Sequence, residues 1–210
     1  MTYVSNEIRL YDKPIYKSIQ HYIQDNNFIT IKQCQNIFFS NSKFAYQEAQ
    51  RLLNKMTKAN LIKSFKTVTG ENAYSGKKLK LSYHSIMKMN IYSMFIKSGF
   101  DIVYMSKEPV NFSIKRADIM MDIANPNSEK MYPLFIEVDN YNDTNIKTIE
   151  KLYDSEQVQN YYQQRYGMRI FPAVLIITNR IKKDYSDKFK IIYLDHNLSE
   201  FNDYFNIKNY

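Results

Sequence analysis

The chain has 210 residues, 44% hydrophobic and 15% aromatic, with only 4 Gly and 5 Pro, which excludes long disordered linkers. Its formal charge is +8, and the whole excess lies in residues 1–80, where 13 Lys/Arg face 5 Asp/Glu; residues 81–210 hold 16 of each. That asymmetry excludes a uniformly basic structural protein and predicts two modules, the first of them facing a polyanion.

In chain order, Pro14 opens an apolar-periodic run through Ile15, Ile19, Tyr22 and Ile23, with Asp12 as N-cap and Asn26-Asn27 as its end. Phe28 and Ile29 read as a short extended piece. Thr30 then caps a second helix, 31–39, whose inward side is Ile31, Cys34, Ile37 and Phe38. After the turn Ser40-Asn41-Ser42, a third helix spans 44–59 and turns Ala45, Ala49, Leu52, Leu53 and Met56 inward. LIKSFKTVTG and KKLKLS alternate as strands do, and ENAYSG between them reads as the polar tip of a hairpin. Three helices followed by a hairpin is the pattern of a winged helix-turn-helix over residues 1–82.

The order has a docking logic, because a third helix of this kind enters the major groove while the wing meets the neighbouring backbone. Lys43, Tyr46, Gln47, Gln50 and Asn54 lie on its polar side with Arg51 on the flank, and Gln or Asn can pair with adenine. Lys63, Lys66, Lys77, Lys78 and Lys80 are expected to hold phosphates, which makes affinity salt-sensitive. The plainer alternative is a solvated basic face on a protein-interaction module.

Residues 83–210 read as a second domain with the order α-β-β-β-α-β. An apolar helix, 83–98, closes at Gly99; strands follow at 100–105, 114–123 and 132–139, the last two joined by the turn ANPNSEK. Asp143 or Thr144 caps one long helix running to Tyr166 and Gly167. FPAVLIIT and FKIIYLD are further strands, and 198–205 a final helix. A three-strand meander, a helix and a returning strand make a mixed sheet with helices against it. Asp118 falls within the second strand. Glu137 and Asp139 end the third, two residues apart and so on one sheet face. Carboxylates in a burial-rich strand are costly unless a divalent cation bridges them.

The strand order, the Asp on strand two and the Glu-x-acid on strand three resemble the PD-(D/E)XK restriction-endonuclease-like superfamily. KRAD, FIEVDNYNDTNIKTIEKLYDSEQVQNYY and FPAVLIITN more narrowly resemble the replication-relaxation family and the related MOBC-type plasmid relaxases. The resemblance covers nearly the whole chain and implies an α+β or α/β protein, a winged helix-turn-helix followed by a restriction-endonuclease-like mixed-sheet domain. It implies that Asp118 and Glu137 bind Mg²⁺ or Mn²⁺. Asp139 stands where ordinary members hold lysine, and it fits the three-carboxylate set of the MOBC-type enzymes; a lysine that has migrated to Lys147 or Lys151 is the other option. Lys151 is therefore carried as a catalytic candidate, and Lys115 and Arg116 as DNA contacts.

The implied function is a relaxase-type endonuclease that recognises a transfer or replication origin on double-stranded plasmid DNA and nicks one strand by metal-dependent phosphodiester cleavage. The alternative is a non-catalytic accessory factor for plasmid replication or conjugation, or a transcriptional regulator with a degenerate nuclease fold. Other conjugation or replication proteins, and a second copy of the chain, stand as further partners under either reading.

The remaining features weigh less. His21, His84 and His196 lack metal-ligand spacing. Tyr141, Tyr153, Tyr161 and Tyr162 qualify as nucleophiles only among 19 tyrosines, Glu108 reads as a loop acid, and Met87, Met89 and Met94 read as core filler. One cysteine excludes a disulfide framework and a cysteine zinc site and fits a reducing cytoplasm. No apolar run approaches membrane-spanning length, and the first residues lack the apolar core of a signal peptide.

Overall fold

The computed structural model describes residues 14–106, 110–128, 130–140, 143–179 and 184–205. Asp12, Glu108 and Tyr141 lie outside them. The described residues hold seven helices and a mixed five-stranded sheet, an α+β architecture. None of these helices is long and apolar enough to cross a membrane. The chain divides into two compact units, Met1–Lys97 and Ser98–Tyr210.

In the first unit, α1 (Pro14–Asn26) starts on the proline, whose fixed φ suits a first turn, and buries Tyr16, Ile19, Tyr22 and Ile23. Asn27 then takes a left-handed φ of 70°, which asparagine tolerates better than most residues. β1 (Ile29–Thr30) leads into α2 (Ile31–Phe38) through a complete capping box: Thr30 Oγ1 accepts from Gln33 N at 3.3 Å, and Gln33 Oε1 accepts from Thr30 N at 3.0 Å. α3 (Ala45–Lys58) buries the five residues its period predicts. β2 (Lys63–Lys66) and β3 (Asn72–Ser75) form an antiparallel hairpin, and β1 pairs with the other side of β3. Gly70 closes the tip with φ 80°, its N–H donating to the Thr67 carbonyl at 3.1 Å.

The second hairpin strand is thus drawn from ENAYS and not from KKLKLS. Ala73 and Tyr74 are buried between β1 and β2, and that burial fixes the register. Lys77, Lys78 and Lys80 follow the hairpin and are no part of its strands.

α4 (Tyr83–Lys97) belongs to this first unit, so the division falls at Lys97/Ser98 and not after residue 82. The reason is polar as well as apolar. Gln33 and Asn36 are buried in α2, where Ile37 and Phe38 are only half-buried. Gln33 Nε2 donates to Asn90 Oδ1 at 2.9 Å, and Asn36 Nδ2 to Ser93 Oγ at 3.1 Å, which stitches α2 to α4.

In the second unit, β4 (Asp101–Met105) is followed by a two-stranded ribbon of β5 (Val110–Asn111) and β6 (Arg116–Ala117), then β7 (Ile119–Ala124) and β8 (Met131–Val138). The strand expected across 114–123 is split by a bend at Asp118. α5 (Ile146–Asp154) and α6 (Gln157–Tyr166) come next, then β9 (Ala173–Ile177), β10 (Ile191–Leu194) and α7 (Phe201–Tyr204). The sheet order is β10-β9-β8-β7-β4; β4, β7 and β8 run antiparallel, and β8, β9 and β10 parallel. Val103 is an extra residue in β4, where the register with β7 shifts between Ile102 and Tyr104.

The single long helix expected up to Tyr166 is two helices. Glu156 sits at φ 58°, and Ser155 Oγ turns back onto the Leu152 carbonyl at 2.7 Å. Asn145, and neither Asp143 nor Thr144, supplies the cap, with Oδ1 accepting from Lys147 N at 3.0 Å. Gly167 closes α6 at φ 70° as expected. Met120, Phe135, Val174 and Ile176 face Ile149, Leu152, Val158 and Tyr162 in the resulting core.

Candidate functional site

The register of β7 with β8 pairs Ile119 with Ile136, so the next rung sets Asp118 opposite Glu137. Both acids therefore start from neighbouring strands on one sheet face. Glu137 ends a run in which Leu134, Phe135, Ile136 and Val138 are buried, and it is itself only 4% exposed. Asp118 Oδ2 accepts from the Val138 N–H at 3.0 Å, which ties the bend to the neighbouring strand. Lys115, at the foot of the small ribbon, places Nζ 2.8 Å from Glu137 Oε2. The other oxygen, Oε1, is buried with no hydrogen-bond partner. Burial pushes the Glu137 carboxyl up to about 7, against the pull of Lys115 and with added repulsion from Asp118.

The other sequence-predicted members of this site are not gathered here. Asp139 lies just beyond β8 and uses Oδ1 locally, accepting from Thr144 N at 3.0 Å and Thr144 Oγ1 at 2.6 Å. It shapes the entry to α5, and the described residues contain no group of three or more His, Cys, Asp or Glu placed to hold a metal ion. Lys151 and Lys147 are exposed on α5, whose buried side is Ile146, Ile149 and Leu152. The lysine that does reach the acids is Lys115, expected as a phosphate contact. Arg116 is exposed beside it. His196, expected as an ordinary surface residue, donates Nε2–H to the Asp139 carbonyl at 2.7 Å and so joins the ends of β8 and β10.

One buried acid is not among the residues expected from the sequence. Asp122 is 0% exposed inside β7, and its two oxygens accept from the hydroxyls of Tyr162 at 2.8 Å and Tyr166 at 2.7 Å. The signal was present as an aspartate inside IMMDI, together with tyrosines spaced i, i+4 on one helix face. The same network disfavours Tyr162 as a nucleophile: it is fully buried, and burial and Asp122 both push its hydroxyl far above the ordinary tyrosine range.

In the first unit, Lys43, Tyr46, Gln47, Gln50, Arg51 and Asn54 are all exposed. Gln47, Gln50, Arg51, Asn54, Lys55 and Lys58 line one shallow concavity along α3, opposite its buried side. Lys55 and Lys58 join the expected set. Asn54 Oδ1 also accepts from Tyr74 OH at 3.3 Å, which orients its amide. Lys63 and Lys66 are exposed on β2, and Lys66 Nζ caps the hairpin tip by donating to the Gly70 carbonyl at 3.0 Å.

The donor chemistry of the acid pair fits a divalent cation in part. An unpartnered buried carboxylate oxygen beside a second carboxylate is the kind of oxygen ligand such ions take, and Asp118 and Glu137 are the residues that would hold one. No family model matches the chain, and no curated protein or solved structure matches it either.

Proposed function

We propose that the chain binds duplex DNA through its first unit and nicks one strand with the second, as a relaxase-type endonuclease acting at an origin on plasmid DNA. The observation that carries the reading is the trio of Asp118, Glu137 and Lys115, with Lys115 Nζ 2.8 Å from Glu137 and one Glu137 oxygen buried and unpartnered. For the first unit, the support is the order α1-β1-α2-α3-β2-β3 with sheet order β1-β3-β2, which suits a winged helix-turn-helix. Its exposed α3 face of amide and basic side chains suits a major groove and its phosphates.

The reaction is hydrolysis of a phosphodiester: a water oxygen bonds to phosphorus, one P–O ester bond breaks, and the departing oxygen takes a proton. Glu137, with its carboxyl near 7, is suited to receive the proton of the attacking water at neutral pH. Lys115 offers its ammonium to the charge that builds on the phosphate oxygens. A bound Mg²⁺ or Mn²⁺ would add polarisation of the phosphate and a more acidic water.

The test is incubation of supercoiled plasmid carrying the cognate origin with the full chain and Mg²⁺ or Mn²⁺. Open circles are expected from the native chain and none from Glu137→Ala. Tight binding to the origin without nicking in either metal would sink the enzyme reading. One observation favours the non-catalytic alternative, a DNA-binding accessory factor: Asp139 is committed to Thr144, so the three-acid set of the MOBC-type pattern is not assembled.

A further inference from the structure

The rung of the sheet that pairs Tyr104 with Asp122 carries a second cluster. The Arg165 guanidinium carbon lies 3.7 Å from the centre of the Tyr104 ring and 5.3 Å from that of Tyr166. Tyr166 is fixed in turn, because its hydroxyl donates to the buried Asp122. Tyr162, stacked on Tyr166 with ring centres 6.0 Å apart, donates to the other Asp122 oxygen. Arg165 itself is exposed, and among the described residues no carboxylate pairs with it. A guanidinium held over the Tyr104 ring and against Tyr166 keeps most of its donors and has lost most of its freedom. That is the preorganisation that favours phosphate over a loosely held surface charge.

Asp122 lies four residues from Asp118, or ~13 Å along the strand, and on the same sheet face. We propose that Arg165, held over Tyr104 and beside Tyr166, is a phosphate anchor for the DNA strand served by Asp118, Glu137 and Lys115. The anchor rests on the DNA-nicking reading for its ligand. It adds a positioning residue for that strand, at a place where the unit, with 14 Lys/Arg against 16 Asp/Glu, offers no general attraction.

The experiment is fluorescence anisotropy of the full chain with a single-stranded oligonucleotide and with duplex, each titrated with salt. Arg165→Gln is expected to weaken single-strand binding by about tenfold. The slope of log affinity against log salt should become shallower by about 0.7, the loss of one phosphate contact. Arg165→Lys, which keeps charge but not the stacked fork, should fall between, and it carries the test if the glutamine variant fails to fold. Duplex binding, carried mainly by the first unit, should fall by less than single-strand binding. Native-like affinity and slope for both variants overturn the anchor, whatever the nicking assay gives. Conversely, a native chain that never nicks but loses single-strand affinity on Arg165→Gln keeps the anchor and sinks the enzyme reading. Calorimetry with inorganic phosphate is the last arm. Binding of that ion abolished by Arg165→Gln, with oligonucleotide affinity intact, would assign the site to free phosphate and overturn the strand anchor.

Discussion

Burial and a single lysine set opposite demands on Glu137, and pH separates them. Its carboxyl is raised from 4.5 to about 7 chiefly by burial. Between those values the unfolded chain has already lost the proton that the folded chain retains. Stability from this group is therefore fully present below about pH 4.5 and is lost as pH rises through 7, by about 3 kcal/mol in all. Urea unfolding of the chelator-treated chain should give a higher midpoint at pH 5 than at pH 8. Glu137→Gln, with nothing to titrate, should flatten that difference; a native chain with equal or greater stability at pH 8 contradicts the assignment. The acids themselves were legible in the sequence, because carboxylates at the end of an apolar strand are conspicuous. Their partners were not. Lys115 meets Glu137 only because a short ribbon folds back beside β8, and Asp139 turns to Thr144 only because the loop after β8 bends there. Those are consequences of chain path, which local pattern does not encode.

Among the elements, the second helix shows where periodicity works and where it misleads. Its start was readable, since Thr30 and Gln33 stand at capping-box spacing. Thr30→Ala removes one half of that box and should cost ~1 kcal/mol, read as a lower thermal midpoint with an unchanged fold. Thr30→Ser, which keeps the oxygen, should recover most of it. The inward side departs from the periodic expectation, because two amides, Gln33 and Asn36, are buried beside Ile31 and Cys34. Buried amides are tolerable only with partners, and theirs sit 57 residues away on α4. A window of eight residues holds no sign of them. The helical break at Glu156 escaped for the opposite reason: glutamate at positive φ is uncommon, so nothing local announces it.

At the scale of the whole molecule, the charge division follows the fold division. Residues 81–97 add Lys88 and Lys97 and no acid, so the first compact unit, Met1–Lys97, holds 15 Lys/Arg against 5 Asp/Glu and the second 14 against 16. α4 buries Ile86, Met87, Met89, Ile91 and Phe95, and each buried side chain of that size contributes roughly 1.5–3 kcal/mol. Losing five exceeds much of the net stability of a small domain, roughly 5–15 kcal/mol. A fragment ending at Lys97 should therefore melt cooperatively by circular dichroism. One ending at Ser82 should show no such transition, and equal melts for both would place the boundary before α4. The order of strands in the second unit was legible as a meander with a returning strand, since alternating elements constrain topology strongly.

The extra residue Val103 in β4 has a further effect. β4 pairs only with β7 among the described residues and so forms one rim of the sheet. A rim strand displays regularly spaced N–H and C=O groups that another chain can copy. Val103 breaks that spacing in mid-strand and leaves its own side chain 51% exposed. The irregularity makes this rim a poor template for a second molecule, and so guards a tyrosine-rich chain against edge-to-edge aggregation.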